Sequence, residues 1–192
     1  MINLEKAKVK RRIAKNKFDC DLTSVDTIYW AYKLSKDTVS VGNANDTSEL
    51  EIFDVKFKDK VDTKVFSKIQ TAIPYRILFR YVKNNQTQYS MYIGKLITTD
   101  KTLIENKCLN IDAMSINSLI ENLVEFMIDK ARKDGETIDD YIARCDTISS
   151  LERDIASIKK QRDNEKQPNK KIQLNNELKE KLRQLKLLEN YT

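Results

Sequence analysis

Histidine is absent from this chain of 192 residues, and glycine, proline and cysteine are scarce. Without an imidazole the chain has no Ser-His-Asp triad, no Cys-His nucleophile and no zinc site of the H-E-x-x-H type. Gly42, Gly94 and Gly135 stand far apart, so a glycine-rich phosphate loop is missing as well. We therefore assign no catalytic residue, expect no cofactor and no metal, and favour an interaction protein over an enzyme.

The small numbers of glycine, proline and cysteine also restrict the fold class and the cellular compartment. Three glycines and two prolines allow few tight turns, which disfavours an all-β sandwich. Cys20, Cys108 and Cys145 are scattered and odd in number, as is typical of reduced thiols. No apolar run is long enough to span a membrane, and the first residues lack the apolar core of a signal peptide. These features predict a cytoplasmic protein without membrane contact.

Charge is distributed unevenly along the chain, whose formal net charge is +6. Residues 1–17 have seven basic side chains and one acidic side chain, and residues 147–192 have eleven and seven. Residues 18–146 are acidic on balance, with 17 basic and 21 acidic side chains. A basic arm of this kind either contacts nucleic-acid phosphates or lies on an acidic protein surface. The candidate nucleic-acid-binding residues of the arm are Lys6, Lys8, Lys10, Arg11, Arg12, Lys15 and Lys17.

Strand and helix patterns follow one another in the middle of the chain. Residues 27–35 and 49–60 alternate apolar with polar side chains, which predicts half-buried strands. Between residues 62 and 73 the apolar side chains have helical spacing, with Asp62 as the expected cap. Residues 1–17 are compatible with a short helix. The segment 97–113 fits either a strand or a loop.

Two β-rich runs flank Asn84 and Asn85, which tolerate the positive φ of a tight hairpin turn. The segment 114–135 carries an apolar stripe at helical spacing, with Ser115 near its start and Gly135 at its end, and predicts a helix. Together these patterns predict an α+β fold with a small mixed or antiparallel sheet and helices on one face.

The apolar spacing in the tail of the chain predicts a coiled-coil-like pair of helices. Leu151, Ile155 and Ile158 form one apolar seam, and a second seam is formed by Ile172, Leu174, Leu178, Leu182, Leu185 and Leu188. Pro168 lies between the seams, and a proline inside one helix would cost about 3 kcal/mol. At the first turn of a second helix it costs little. We therefore predict an antiparallel helical hairpin that turns near residues 167–169.

The resulting organisation is a basic N-terminal arm at residues 1–17, an α+β body at residues 18–146 and a helical hairpin tail at residues 147–192. Candidate partner-binding residues on the tail are Lys159, Lys160, Arg162, Lys170, Lys171 and Lys179.

Five short segments, in order along almost the whole chain, resemble those of a known bacterial family. They are "KNKF" at residues 15–18, "WAYKLSKDT" at 30–38, "ELEIFDVKFK" at 49–58, "AIPYRILF" at 72–79 and "EKQPNKKIQLN" at 165–175. The family is the domain of unknown function numbered 4391. Pro168 departs from its pattern, because family members usually lack a proline at that place.

The resemblance implies an accessory role in DNA processing. Genes of such proteins often lie beside those of SNF2-type helicases and DNA methyltransferases of restriction-like or phage-defence systems. A helicase or a methyltransferase is therefore the expected protein partner. The family supplies no catalytic residue that could be carried over to this chain.

One segment has the spacing of a metal-dependent nuclease of the restriction-endonuclease kind. Asp54 and Lys56 are separated by one residue, and the period of two places both on one face of a strand. Alternating charges on a solvated strand produce the same pattern, and no acidic partner on another element stands out. Trp30 and Tyr32 similarly fit either base stacking or the core, which is the commoner role.

The leading hypothesis is a non-catalytic adaptor of a DNA-processing, defence-like complex, which binds protein partners through its body and hairpin. The alternative is a nucleic-acid-binding module that uses the basic arm. A metal-dependent nuclease built on Asp54 and Lys56 is the third hypothesis.

Overall fold

The computed structural model describes residues 4–38, 48–99, 115–128 and 130–189. The chain divides into two compact units, Met1–Asp129 and Lys130–Thr192. The first is built on a six-stranded sheet and the second on two long helices. The predicted α+β class, with a mixed sheet and a helical hairpin, is confirmed.

The sheet of the first unit keeps its strands in chain order. Its elements are helix α1 (Leu4–Ala7), strands β1 (Lys8–Ile13), β2 (Val25–Leu34) and β3 (Leu50–Phe57), helix α2 (Lys64–Thr71), strands β4 (Arg76–Lys83), β5 (Gln86–Ile93) and β6 (Lys95–Thr98), and helix α3 (Ile116–Ile128). Strands β3 and β4 are parallel, and the other neighbouring pairs are antiparallel. A parallel pair needs a crossover, and α2 provides it.

The basic arm is a strand where a helix was expected, so that expectation is wrong for residues 8–13. Strand β1 pairs with β2 in antiparallel register, with Lys8 opposite Tyr32 and Ile13 opposite Ile28. Pairing satisfies backbone groups along β2 that would otherwise lack partners, and this outweighs a weak helical pattern. The register shifts between Lys8 and Arg11, and Lys10 has a φ of 52° there.

Strand β2 is irregular, and its irregularity changes which side chains face the core. Its register against β3 shifts between Trp30 and Tyr32. Trp30 lies opposite Phe53, whereas Tyr32 lies opposite Ile52, so the two aromatic side chains point to different faces. The strict alternation that the sequence suggests through this strand therefore ends at the shift.

Helix α2 is held on the sheet by aromatic packing. The buried ring of Phe66 stacks on Phe79, with centroids 4.4 Å apart and an interplanar angle of 19°. Tyr81 lies 5.1 Å away and Phe57 packs with its edge at 5.9 Å. The expected cap at Asp62 is wrong by one residue: Thr63 is the N-cap and makes no side-chain capping bond, whereas the carboxylate of Asp62 accepts a hydrogen bond from the backbone of Lys64 at 3.1 Å.

The predicted hairpin joins β4 and β5. Asn84 and Asn85 have φ values of 51° and 61°, the left-handed conformation that a tight two-residue turn requires. Leu78, Met91 and Ile97 are register partners on the face opposite Phe79, and they too are buried. The first residues of the segment 97–113 belong to β6, and most of the segment lies outside the described residues.

The second unit is a hairpin of α4 (Ile138–Asn164) and α5 (Pro168–Glu189). The predicted turn is confirmed, since only residues 165–167 separate the helices and Pro168 is the first helical residue. Ile155, Ile158 and Leu178 form the buried contact, with Leu174 and Leu185 packed against them. The carboxylate of Glu165 accepts hydrogen bonds from the next two backbone amides, each at 2.8 Å.

Two predicted members of the seam are wrong. Leu182 is 42% exposed, and Ile172 is 59% exposed, so neither lies in the contact. The observed seam on α5 runs through residues 174, 178, 181 and 185, with Lys181 bonded to Asp154 across the hairpin at 2.8 Å. A helix turns about 100° per residue, which carries residues 172 and 182 away from this stripe.

Helix α4 begins with a firmly held turn. Thr137 is its N-cap and accepts a hydrogen bond from the backbone of Asp140. The guanidinium of Arg144 donates to both carboxylate oxygens of Glu136, at 2.7 and 2.8 Å. This pairing holds the pKa of Glu136 at about 2, well below the ordinary value.

Replacing Leu178 with alanine should lower the free energy of unfolding by about 2–4 kcal/mol, because it leaves a cavity in the buried contact of the hairpin. The matched change Ile172→Ala, on an exposed side chain of the same helix, should cost less than about 0.5 kcal/mol. Urea unfolding of the full chain, followed by far-ultraviolet circular dichroism, measures both. Equal losses would contradict the observed seam.

Candidate nucleic-acid interface

A concave site lies on the face of the sheet that carries α2, over strands β1 to β3. Its floor is a row of register partners, in which Arg11 lies beside Trp30 and Trp30 beside Phe53. The next row pairs Lys33 with Glu51. Because these side chains come from three adjacent strands, the sheet itself sets their spacing.

Residues that follow β1 and α2 complete the walls of this site, which we call the Trp30 pocket. Its volume is about 420 Å³, within the range of small-ligand sites. The complete lining is Arg11, Arg12, Ile13, Ala14, Lys17, Trp30, Lys33, Glu51, Phe53, Ile73, Pro74 and Tyr75. Aromatic and aliphatic side chains therefore form its interior, and three cations of the basic arm belong to its rim.

Glu51 is the buried acid of the pocket. It is only 3% exposed, and its Oε2 has no hydrogen-bond partner among the described residues. Burial raises the pKa of Glu51 to about 7, while the nearby indole of Trp30 and the charge of Lys33 oppose that rise. Near neutral pH the carboxyl is therefore divided between its neutral and ionised forms.

Neighbouring groups limit what can neutralise Glu51. Lys33 is engaged elsewhere, since its Nζ lies 2.8 Å from a carboxylate oxygen of Glu49. The same ammonium lies 5.8 Å from the centre of the Tyr75 ring. The indole N–H of Trp30 donates to the backbone carbonyl of Tyr32 at 3.1 Å. Two of the donors beside Glu51, the ammonium of Lys33 and the indole N–H of Trp30, are thus committed to other partners.

The seven candidate residues of the basic arm have different surroundings. Lys8 pairs with Glu5, and the Nζ of Lys15 donates to the backbone carbonyl of Val25 at 2.8 Å. The other five side chains are exposed and make no hydrogen bond or ion pair with the described residues: Lys6, Lys10, Arg11, Arg12 and Lys17. Three of these five, at residues 11, 12 and 17, line the Trp30 pocket.

The nuclease candidates lie at a second cavity, of about 620 Å³, on the opposite face of β3. The guanidinium of Arg80 donates two hydrogen bonds to Asp54, at 2.6 and 2.7 Å. Lys56 lies 3.6 Å from Asp26 on β2, an acidic neighbour that sequence reasoning missed. A divalent cation would have to displace Arg80 from Asp54, so this arrangement favours ion pairs over a metal site.

Metal ligands do not gather elsewhere in the part of the chain that the structure describes. Within those residues no three His, Cys, Asp or Glu side chains are grouped so that they could hold a metal ion. Nor does any helix there combine the length and hydropathy needed to cross a membrane.

The candidate residues on the hairpin are mostly solvent-facing. Lys159, Lys160, Lys170, Lys171 and Lys179 are exposed, and Arg162 donates to its neighbour Asp163 at 2.7 and 2.9 Å. The structure brings four of these lysines to the end of the hairpin at which the chain turns, two on the last part of α4 and two on the first turn of α5.

Comparison with known protein families matches residues 5–185 to the model of a domain of unknown function, DUF4391. The chain belongs to this family. Searches among curated proteins and among solved structures found no match. Membership in DUF4391 covers both units described above, so the sheet and the hairpin are parts of the one family domain.

Sequence reasoning located the basic arm but missed the pocket beside it. Glu51 was hidden because its neighbours Glu49 and Lys56 make it look like one more charge on a solvated strand. The odd positions of β3 carry Phe53, Val55 and Phe57, and Glu51 shares their face. An acid in phase with three apolar side chains was therefore the available signal.

The pKa of Glu51 predicts how stability depends on pH. Its folded value of about 7 exceeds the ordinary 4.5, so the folded state holds a proton that the unfolded state releases. The free energy of unfolding should therefore fall by roughly 3 kcal/mol from this group as pH rises from 4.5 through 7. The Glu51→Gln variant should lack this pH-dependent part of the free energy of unfolding, and it should be more stable than the wild type at alkaline pH.

Urea unfolding at a series of pH values measures the effect. The control Glu177→Gln changes an exposed carboxylate and should leave the pH dependence as in the wild type. If Glu51→Gln and the wild type lose stability in parallel above pH 4.5, the assignment of a raised pKa to Glu51 is wrong.

Proposed function

We propose that the protein is a non-catalytic accessory protein that binds nucleic acid along the basic edge of its sheet. The observation that carries this proposal is the position of Arg11, Arg12 and Lys17. These three unpaired cations line a concave site that also contains Trp30 and Tyr75. Cations that follow a backbone, with aromatic rings between them, are the usual elements of single-strand binding sites.

Edge-strand protection is the competing explanation for charges on β1. Lysine and arginine on an edge strand discourage pairing with another chain, and β1 is the first strand of the sheet. That explanation does not require an aromatic cavity beside the charges. It also does not require Lys17, which lies beyond the end of β1.

The absence of histidine and the engagement of Asp54 by Arg80 favour a binding role over catalysis. We further infer a cytoplasmic location. Cys20 and Cys145 are free thiols in the structure, as a reducing compartment would maintain them.

Neutralising the three cations should weaken binding to single-stranded DNA of any sequence. Each contact with a single strand contributes about 0.7 to the slope of log affinity against log salt. The variant Arg11→Gln/Arg12→Gln/Lys17→Gln should therefore reduce that slope by about two. Fluorescence anisotropy of labelled oligonucleotides, from low to moderate salt, measures the affinity and the slope together.

A matched control removes the same charge from another part of the sheet unit. Lys58, Lys60 and Lys83 are exposed and lie outside the Trp30 pocket, so their replacement by glutamine should leave the slope nearly unchanged. The proposal fails if the two triple variants behave alike, or if the wild type does not bind at about 50 mM salt.

A second candidate function, a protein-binding adaptor, is favoured by the hairpin. The first turn of α5 contains Lys170 and Lys171 and no acidic residue. The positive end of the helix dipole lies there, so two cations at this end are unfavourable for the helix itself. Ile172 is exposed beside them. A basic, partly apolar patch that reduces the stability of its own helix fits contact with an acidic protein partner.

The test of the adaptor is charge reversal at the turn. Replacing Lys159, Lys160, Lys170 and Lys171 with glutamate should abolish capture of the partner by the tagged full-length protein in extracts of the native host. The change adds acidic side chains to the first turn of α5, where they are favourable, and near the end of α4, where they are unfavourable, so the two effects offset each other and the fold should be retained. Quantitative mass spectrometry compares it with a control in which Lys58, Lys60, Lys64 and Lys83 are reversed. Loss of the same partner from both variants would contradict a specific role for the hairpin.

A further inference from the structure

The Trp30 pocket contains a buried carboxyl group, one oxygen of which lacks a hydrogen-bond donor in the described part of the chain. Glu51 lies 3% exposed in the lining, and no group among the described residues donates to its Oε2. A carboxylate oxygen can only accept hydrogen bonds while it is ionised, so the missing partner must carry N–H or O–H groups. A buried acceptor without a donor costs free energy, which a ligand would recover on binding.

The other surfaces of the pocket restrict the shape of that ligand. Trp30 and Phe53 provide aromatic surface in the floor, and Tyr75 and Pro74 form a wall. Such surfaces accept a flat ring system. Arg11 and Lys17, on the rim, favour an anionic group outside the ring. A flat ring that carries N–H donors and is attached to a phosphate is a nucleotide.

We propose that the Trp30 pocket takes one unstacked guanine of a bound single strand, with Glu51 accepting hydrogen bonds from its N1–H and its N2 amino group. This inference rests on the proposed nucleic-acid binding, in which Arg11, Arg12 and Lys17 hold the backbone. Enzymes and binding modules commonly read an extruded base through its Watson–Crick edge while its faces stack on aromatic side chains.

Guanine matches a carboxylate better than the other bases do. Its N1–H and N2 amino group are adjacent donors, so both carboxylate oxygens of Glu51 can be satisfied at once. Adenine and cytosine each place one amino group beside a ring acceptor, and that acceptor would face the second carboxylate oxygen. Thymine and uracil have one N–H between two carbonyl groups.

The preference for guanine should depend on pH. Two accepted hydrogen bonds require ionised Glu51, whose pKa is raised to about 7 by burial. The charged or titratable groups around it are Lys33 on β2, Glu49 before β3, Arg11 and Arg12 on β1, Lys17 after β1 and Tyr75 after α2. Guanine binding should accordingly strengthen between about pH 6 and about pH 8, while binding of thymine should not follow that change.

Trp30 is the single tryptophan of the chain, so its fluorescence reports directly whether the pocket is occupied. The full-length protein is titrated with a thymidine oligonucleotide of about twelve nucleotides and with the same oligonucleotide carrying one central guanine. Anisotropy of a label on the oligonucleotide reports binding, and tryptophan fluorescence reports occupation of the pocket. We expect the guanine to tighten binding roughly tenfold at pH 8 and to quench Trp30.

Two changes test the role of Glu51. Glu51→Gln should abolish the guanine preference and its pH dependence and leave thymidine binding intact. Replacing the guanine with hypoxanthine removes the N2 amino group without altering the protein, so it tests the same hydrogen bond even if the variant folds poorly. Most of the preference should then be lost.

The outcomes separate this inference from the proposed function. Oligonucleotide binding without a guanine preference, or without quenching of Trp30, overturns the base site and leaves the backbone interface standing. Absence of all binding overturns both. Guanosine monophosphate that binds as tightly as the oligonucleotide would also overturn the single-strand inference, in favour of a free nucleotide as the ligand.

Discussion

The packing of Phe66 on Phe79 is the contact on which the first unit depends. The ring of Phe66 lies 4.4 Å from that of Phe79 and touches the rings of Tyr81 and Phe57. It fixes α2 on the sheet and with it the parallel connection of β3 to β4. Because α2 has only eight residues, about 12 Å, it covers a limited part of that face. The rows of β1 to β3 that carry Arg11 and Trp30 are left to form a cavity.

Charge is arranged differently on the two faces of β3. On the face away from α2, Asp54 is matched by Arg80 and Lys56 lies near Asp26, so each charge is balanced where it stands. On the face of α2, Glu51 is buried, and the nearest ammonium, that of Lys33, is bonded to Glu49. Proteins tolerate an unmatched buried acid at a cost to stability, and such groups concentrate at functional sites. A ligand would therefore gain the most binding free energy on the face that carries α2.

The hairpin is stabilised by a narrow seam rather than a broad core. Ile155, Ile158 and Leu178 are its buried members, and Lys181 enters the seam through its bond to Asp154. Pro168 sharpens the turn, because its fixed φ suits the first helical position and its missing N–H would be unpaired there in any case. The exposed positions of both helices do not contribute to the seam, so their side chains can be charged without loss of packing. The lysines at the turn are an example.

Local patterns in the sequence were sufficient for much of this structure. The Asn84–Asn85 turn, the start of α2 beside Asp62, the apolar stripe of α3 and the break at Pro168 are each set by neighbours within a few residues. All the residues that determine such a feature are adjacent in the sequence, so the feature can be predicted from the sequence alone. The basic arm was visible for the same reason, as a run of charges.

Other features were decided only by the tertiary structure. Strand β1 forms because the edge of β2 offers backbone partners that its own residues do not reveal, and the register shift after Trp30 turns Tyr32 to the opposite face. Leu182 leaves the seam because the helix phase is set by the whole interface. The Trp30 pocket combines residues 11, 30, 51 and 75, which are far apart in the chain. The sequence determined which side chains exist and how each segment tends to fold, whereas long-range strand pairing decided which of them share a site, because pairing energy depends on partners that no local pattern contains.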